Sequence, residues 1–177
     1  MSERSETHLA RGIVAGIAGG LVASWVMNEF MSNLGPRLQK AVQGESTSCQ
    51  GQPDGEKPDD ATMKTADVVV SIITGGRHLS HEQKEKGGPI VHYAFGAMMG
   101  AVYGAIAEEL PIATAGFGTA VGAALFAGAD LIAVPALNLS QSSGEESLSS
   151  LATPFAAHMV YGTATETVRG LIRALLG

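Results

Sequence analysis

Five polar residues stand inside otherwise apolar runs of this chain: Asn28, His92, Asp130, His158 and Glu166. Ionisable groups within apolar helices are costly, so they default to functional candidates. An unperturbed histidine titrates near pH ~6.5, and a neighbouring carboxylate raises that value. A His–Asp cluster could therefore sense or carry protons near neutral pH, with Glu166 as the next stop. Two histidines on different helices could instead ligate a haem, or join Asp130 at a metal. The plainer alternative is helix glue. Interhelical polar bonds are worth only about 0.6 kcal/mol, and Asn28 and Asp130 could cap helix ends. Glu166 lies deeper, with Arg169 one turn on and Tyr103 on another stretch as its candidate partners, while Arg173 reads as snorkelling to the interface.

The positions of these residues repeat. His92-Tyr-Ala-Phe-Gly96 recurs as His158-Met-Val-Tyr-Gly162, and the match runs on through Val102/Val168, Gly104/Gly170, Ile106/Ile172 and Leu110/Leu176. Each copy follows a proline, Pro89 or Pro154. Upstream, Gly16, Gly20 and Asn28 align with Gly118, Gly122 and Asp130. A duplicated helical hairpin follows, its two copies in one orientation and related by an axis along a membrane normal. Asn28, His92, Asp130 and His158 should then lie near one membrane face.

The elements that would position them are marked by glycine. Gly12, Gly16 and Gly20 are four apart, as are Gly96, Gly100 and Gly104, and Gly118 and Gly122; Gly162 continues the ridge of His158. In lipid there is little hydrophobic drive between helices, so close backbone approach must hold a bundle. The polar residues extend these ridges, which turns them toward neighbouring helices.

Composition agrees with a membrane protein. The 177 residues are 45% hydrophobic and only 5% aromatic, with 23 glycines, a habit of membrane helices. Apolar spans of the required ~20 residues are predicted at residues 12–32, 89–107, 112–137 and 154–176, the last carrying Glu166, Arg169 and Arg173. Gly35-Pro36 should stop the first helix, residues 44–60 read as a flexible linker, and residues 61–74 as a short amphipathic helix. Ser80 and Gln83 make a candidate capping box. Trp25 and Tyr93 read as interfacial anchors. The net charge of −6 has no basic run to suit nucleic acid, and the single Cys49 excludes a disulfide framework or thiol metal site. No signal peptide is expected, because the first apolar run continues to Met31 without a clear cleavage site, and no HExxH, GxSxG, P-loop or CxxC motif occurs.

Most of residues 61–177, and more loosely the first span, resemble the YagU-like family of small bacterial inner-membrane proteins. The likeness rests on His92, Tyr103, Ala107-Glu108, Pro111, Gly118/Gly122, Pro135 with Leu137, His158-Met-Val, Glu166 and Arg169, and on the Gly-Gly-Arg and Ser80-His-Glu-Gln-Lys runs. The resemblance implies a multi-pass inner-membrane protein and supplies no catalytic residue.

The expected fold is all-α: one integral-membrane domain over residues 1–177, a four-span bundle of two tandem helical hairpins with the amphipathic helix in its first long loop. Arg4, Arg11, Arg169 and Arg173 place both termini inside. The expected activity is proton or small-ion movement, or a pH response, at the polar cluster. The alternative is an accessory or assembly subunit without activity of its own. A haem- or metal-binding protein comes third, since closely packed helices leave no room for a macrocycle. No enzyme activity and no cofactor are predicted. The expected partners are the lipid bilayer and either a second copy or a membrane complex, with no nucleic acid.

Overall fold

A computed structural model describes residues 2–43, 59–137, 139 and 148–176; the regular elements among them are all helices, with no strand. The order is α1 (Ser2–Asn33), α2 (Gly35–Gln43), α3 (Ala61–Thr74), α4 (His81–Glu109), a 3-10 turn (Pro111–Thr114), α5 (Thr119–Leu125), a π-helical stretch (Phe126–Ala133), α6 (Val134–Ala136) and α7 (Leu148–Leu176). Three helices are long and apolar enough to cross a membrane: Glu6–Asn33, His81–Glu109 and Thr119–Ala136. Cys49 and most of the predicted 44–60 linker lie outside the described residues.

The helix at the centre of the bundle is α1, because it carries two small-residue ridges. The first meets α4. A Cβ on Gly12, Gly16 or Gly20 would overlap the carbonyl of Gly104, Gly100 or Gly96 respectively. The pairing descends as the α1 numbers rise, so α1 and α4 are antiparallel. The second ridge meets α7. Ala15 and Ala23 are fully buried, and a Cβ on Gly19 between them would lie 2.7 Å from the Thr165 carbonyl oxygen. Sequence reading missed this ridge, although Ala15, Gly19 and Ala23 have the same four-residue spacing. Farther along, Gly35 faces Thr153 and the Arg173 guanidinium reaches His8, so α7 is antiparallel to α1 as well. α4 and α7 are therefore parallel. α5 packs on α7 through Gly118 against Gly162 and Gly122 against the His158 carbonyl.

Element boundaries depart from the sequence reading in four places. α1 is helical ten residues earlier than its apolar run (Ser2 against Gly12). Gly35-Pro36 does end α1, but the chain turns at once into α2, because proline's fixed φ suits a first helical turn. α4 starts at His81 and runs through Pro89, as α7 starts at Leu148 and runs through Pro154. The third apolar stretch is no single helix from Ile112. Gly116, Phe117 and Gly118 have positive φ of 74°, 54° and 82°, which excludes α-helix until Thr119. After Leu125 that helix widens into the π-helical stretch.

α3 lies against the start of α4. Its Asp60 N-cap accepts the Met63 N–H at 2.9 Å, and Gly75, with φ 72°, closes its C-terminus. Met63 and Ala66 are buried where Gly87 and Gly88 of α4 leave room. The capping box at Ser80 and Gln83 is present. Carboxylates fasten the two helices. Asp67 accepts the Leu79 N–H at 2.6 Å and faces His78 Nδ1 at 3.0 Å. Asp59 accepts from Lys84 Nζ at 2.8 Å and faces His81 Nδ1 at 2.8 Å. The Lys84 bond holds the Asp59 carboxyl below its ordinary range, and the Leu79 amide does the same for Asp67. Val68, Val69, Ile72 and Ile73 remain exposed on the other side of α3.

Candidate functional site

The structure distributes the five sequence-predicted polar residues over three places. Asn28 and His92 line one cavity of about 420 Å³, where the end of α1, the N-terminal turn of α3 and the start of α4 meet. His92 Nε2 lies 3.3 Å from the Ser24 carbonyl oxygen, across the α1–α4 seam. That contact is a hydrogen bond when Nε2 carries the ring proton. The Ser24 hydroxyl is itself buried without a partner.

His158 and Asp130 form the second place. His158 Nδ1 lies 3.0 Å from the Pro154 carbonyl oxygen and 3.5 Å from Asp130 Oδ2. Phe126 meets the imidazole edge-on at 5.8 Å between ring centres. Asp130 belongs to the π-helical stretch, a distortion frequent at functional sites. The bond from Tyr161 Oη to the Gly96 carbonyl, 2.6 Å, sets the register of the parallel helices α4 and α7. It places His158 level with His92.

Glu166 is the centre of the third place, about two turns (~12 Å of helix rise) from His158. Tyr103 Oη donates to Glu166 Oε2 at 2.7 Å. Arg169 grips the same carboxylate with both arms, Nε to Oε2 at 2.7 Å and Nη2 to Oε1 at 2.8 Å. The Arg169 guanidinium also lies 5.7 Å from the centre of the Tyr103 ring. Its Nη1 is 3.7 Å from Glu108 Oε1. Glu108 in turn is forked by Arg173, Nε at 2.6 Å and Nη2 at 2.9 Å, and that Nη2 is 3.5 Å from His8 Nδ1. Arg173 thus does not snorkel; a carboxylate on α4 holds it inward. Tyr103, Glu166 and Arg169 are all buried. Forked Arg–carboxylate pairs are strong and orientationally fixed, so this network ties α4 to α7.

Sequence reading did not find the network as one unit. Its signal was present in fragments: Glu108 four residues beyond Gly104, and Glu166, Arg169 and Arg173 at helical spacing. The glycine residues carried the missing information. At Gly12 a side chain would overlap Glu108, so glycine there makes room for the carboxylate to lie between helices. Among the described residues, no group of three or more His, Cys, Asp or Glu side chains is arranged to hold a metal ion.

A family model described as a protein of unknown function, DUF1440, matches residues 20–167. The chain belongs to the DUF1440 family. That match covers Asn28, His92, Tyr103, Asp130, His158 and Glu166 and leaves out His8, Gly12, Arg169 and Arg173. No curated protein and no solved structure matches the chain.

Proposed function

We propose that this DUF1440 protein is a four-span protein of the bacterial inner membrane, with both termini cytoplasmic, that moves protons or small ions along the interior of its bundle. α7 is the fourth span. It is not among the three helices apolar enough to cross a membrane by composition, yet its Glu166 and Arg169 are paired and buried and Arg173 is paired with Glu108. The surface it turns outward carries Phe155, Leu171 and Leu175, all exposed, which suits lipid. The two halves of the repeat then form parallel units, α1 with α4 and α5 with α7.

One observation carries the functional reading. Polar groups follow one another along the α1–α4–α7 interior of an otherwise apolar bundle. His92 meets Ser24; Tyr161 meets Gly96; Tyr103 and Arg169 meet Glu166; Arg169 approaches Glu108, which meets Arg173. His158 with Asp130 is a second titratable pair at the level of His92. Reconstituted vesicles with a trapped pH dye test the reading. The full chain should dissipate an imposed pH gradient faster than empty vesicles. Tyr103→Phe, which removes one hydroxyl from the Glu166 carboxylate, should slow it, as should His158→Ala and Asp130→Asn. A rate equal to that of empty vesicles overturns the reading.

A second reading is favoured by the closure of the Glu166 network. Its carboxylates are matched by their own arginines and by Tyr103, as in a clamp that keeps an assembly subunit rigid. A stable membrane partner that copurifies in stoichiometric amount, together with no flux, selects it.

A further inference from the structure

The cavity between α1, α3 and α4 has an unusual lining for its size. The sequence holds seven methionines, and three of them, Met27, Met31 and Met63, border this one cavity together with His92. Met27 and Met31 are one turn apart on α1, so their side chains leave the same face. Met63 comes from α3 and His92 from α4. Methionine often fills irregular apolar gaps because its stem is flexible. Here all three line a space of about 420 Å³, Met27 also packing against Ala23, Leu125 and Tyr161 and Met31 Sδ lying beside Gly35.

The imidazole is presented for ligation. Its Nε2 lies 3.3 Å from the Ser24 carbonyl oxygen; with the ring proton on Nε2 that contact is a hydrogen bond and the lone pair is on Nδ1. Ligating histidines are characteristically fixed in this way, with the other ring nitrogen donating to a carbonyl. His158 is not part of this lining. The charge at the cavity also suits a cation. Asp60 and Glu85 are in the lining, and no lysine or arginine is.

We propose that this cavity binds one soft monovalent cation, Cu(I) or Ag(I), through the thioethers of Met27, Met31 and Met63 and the His92 imidazole. Thioether and imidazole donors select Cu(I) over hard divalent ions, whose oxygen ligands are not assembled here. The flexible methionine stems let the three sulfur atoms close on an ion smaller than the cavity. Binding needs no oxidation or reduction at the site, and it needs no proton movement along the bundle.

The test uses the full chain in detergent, with Cys49→Ser in every sample to remove thiol binding. Cu(I) is titrated anaerobically against a chromogenic Cu(I) chelator, and Ag(I) is titrated in parallel. One equivalent should bind, and Zn(II) should not displace it. Met27→Leu, Met31→Leu and Met63→Leu together keep volume and apolarity but remove the sulfur donors; they should weaken binding by at least about tenfold. Met98→Leu with Met99→Leu, away from the cavity, should leave binding unchanged. His92→Gln and Met31→Leu, each alone, carry the test if the triple variant loses helicity. Failure of the wild-type chain to hold Cu(I) against the chelator overturns the site. So does a folded triple variant, or the two single variants, binding as tightly as wild type.

Discussion

The α1–α4 and α5–α7 contacts use the same repeated residues and build different seams. In the first, three successive glycine pairs bring backbone against backbone: Gly12 with Gly104, Gly16 with Gly100, Gly20 with Gly96. In the second there is one glycine pair, Gly118 with Gly162, and then Gly122 against the His158 backbone. The registers differ as well. Gly20 faces Gly96, but its counterpart Gly122 faces a residue four positions before Gly162. The cause lies at the counterpart of Gly100, which is Glu166. A glutamate cannot pass a helix at backbone distance. α5 therefore packs one turn along, with the Glu166 Cβ 3.0 Å from where a Cβ on Gly118 would be. A glutamate at the position matching Gly100 thus goes with both a shifted seam and the anchor for Tyr103 and Arg169.

The sharpest way to break this comparison is to load equivalent glycines. Gly104 and Gly170 occupy matching repeat positions. A side chain on Gly104 would overlap the Gly12 carbonyl, whereas around Gly170 nothing lies within 4 Å. Ordinary overpacking costs about 1–3 kcal/mol. At Gly104 the obstacle is main chain that cannot rotate away, so Gly104→Leu should exceed that range and part α1 from α4. Gly170→Leu should be nearly silent. Unfolding of purified protein in mixed micelles measures both. Equal losses would show that the two seams are packed alike.

This asymmetry marks what could be read in the residues. The ridge of Gly12, Gly16 and Gly20 and that of Gly96, Gly100 and Gly104 were legible, because helical geometry puts four-spaced residues on one line and glycine is a costly choice without a reason. The ridge of Ala15, Gly19 and Ala23 was not, because alanine is common on any helix. The left-handed turn at Gly116–Gly118 was hidden by Phe117, a non-glycine residue with φ 54°. The π-helical stretch around Asp130 leaves no mark in apolar periodicity. For the site, individual polar residues were legible by their burial in apolar runs. Their grouping was not, because it depends on the register between helices far apart in sequence. Arg173 shows this best: its partner Glu108 stands 65 positions away.

The next test sharpens the role of Glu166. Arg169→Ala leaves that carboxylate buried with Tyr103 as its remaining described donor. Breaking one side of a buried pair costs about 3–5 kcal/mol in soluble proteins. In micelles the unfolded chain also finds partners, so about 3 kcal/mol is expected. Glu166→Gln with Arg169→Gln removes both charges and should recover part of that loss. A double variant as unstable as the sum of its singles would show that the two groups do not interact.

The smallest effect should come at α3, outside both seams. Asp59 and Asp67 hold α3 to α4 as carboxylates, and both carboxyls sit below their ordinary range in the folded protein. A folded value below the unfolded one stabilises above the unfolded value, about pH 4. The contribution fades as pH falls through the lower, folded values. Both aspartates are partly exposed to solvent screening at the edge of the bundle, so the gain is small. The facing groups are His78 with Asp67, His81 with Asp59, and Lys84 with both. Lys84 stays charged through neutrality, so docking should persist at pH 7. Amide exchange on α3, followed from pH 7 to pH 3, should stay protected to about pH 4 and then loosen, while α1 and α4 remain protected by their glycine seam. Asp67→Asn should bring the loosening to neutral pH, because the amide side chain cannot attract Lys84 and binds the Leu79 N–H more weakly. Uniform protection of α3 down to pH 3 would show that Met63 and Ala66, packed over Gly87 and Gly88, suffice to hold it.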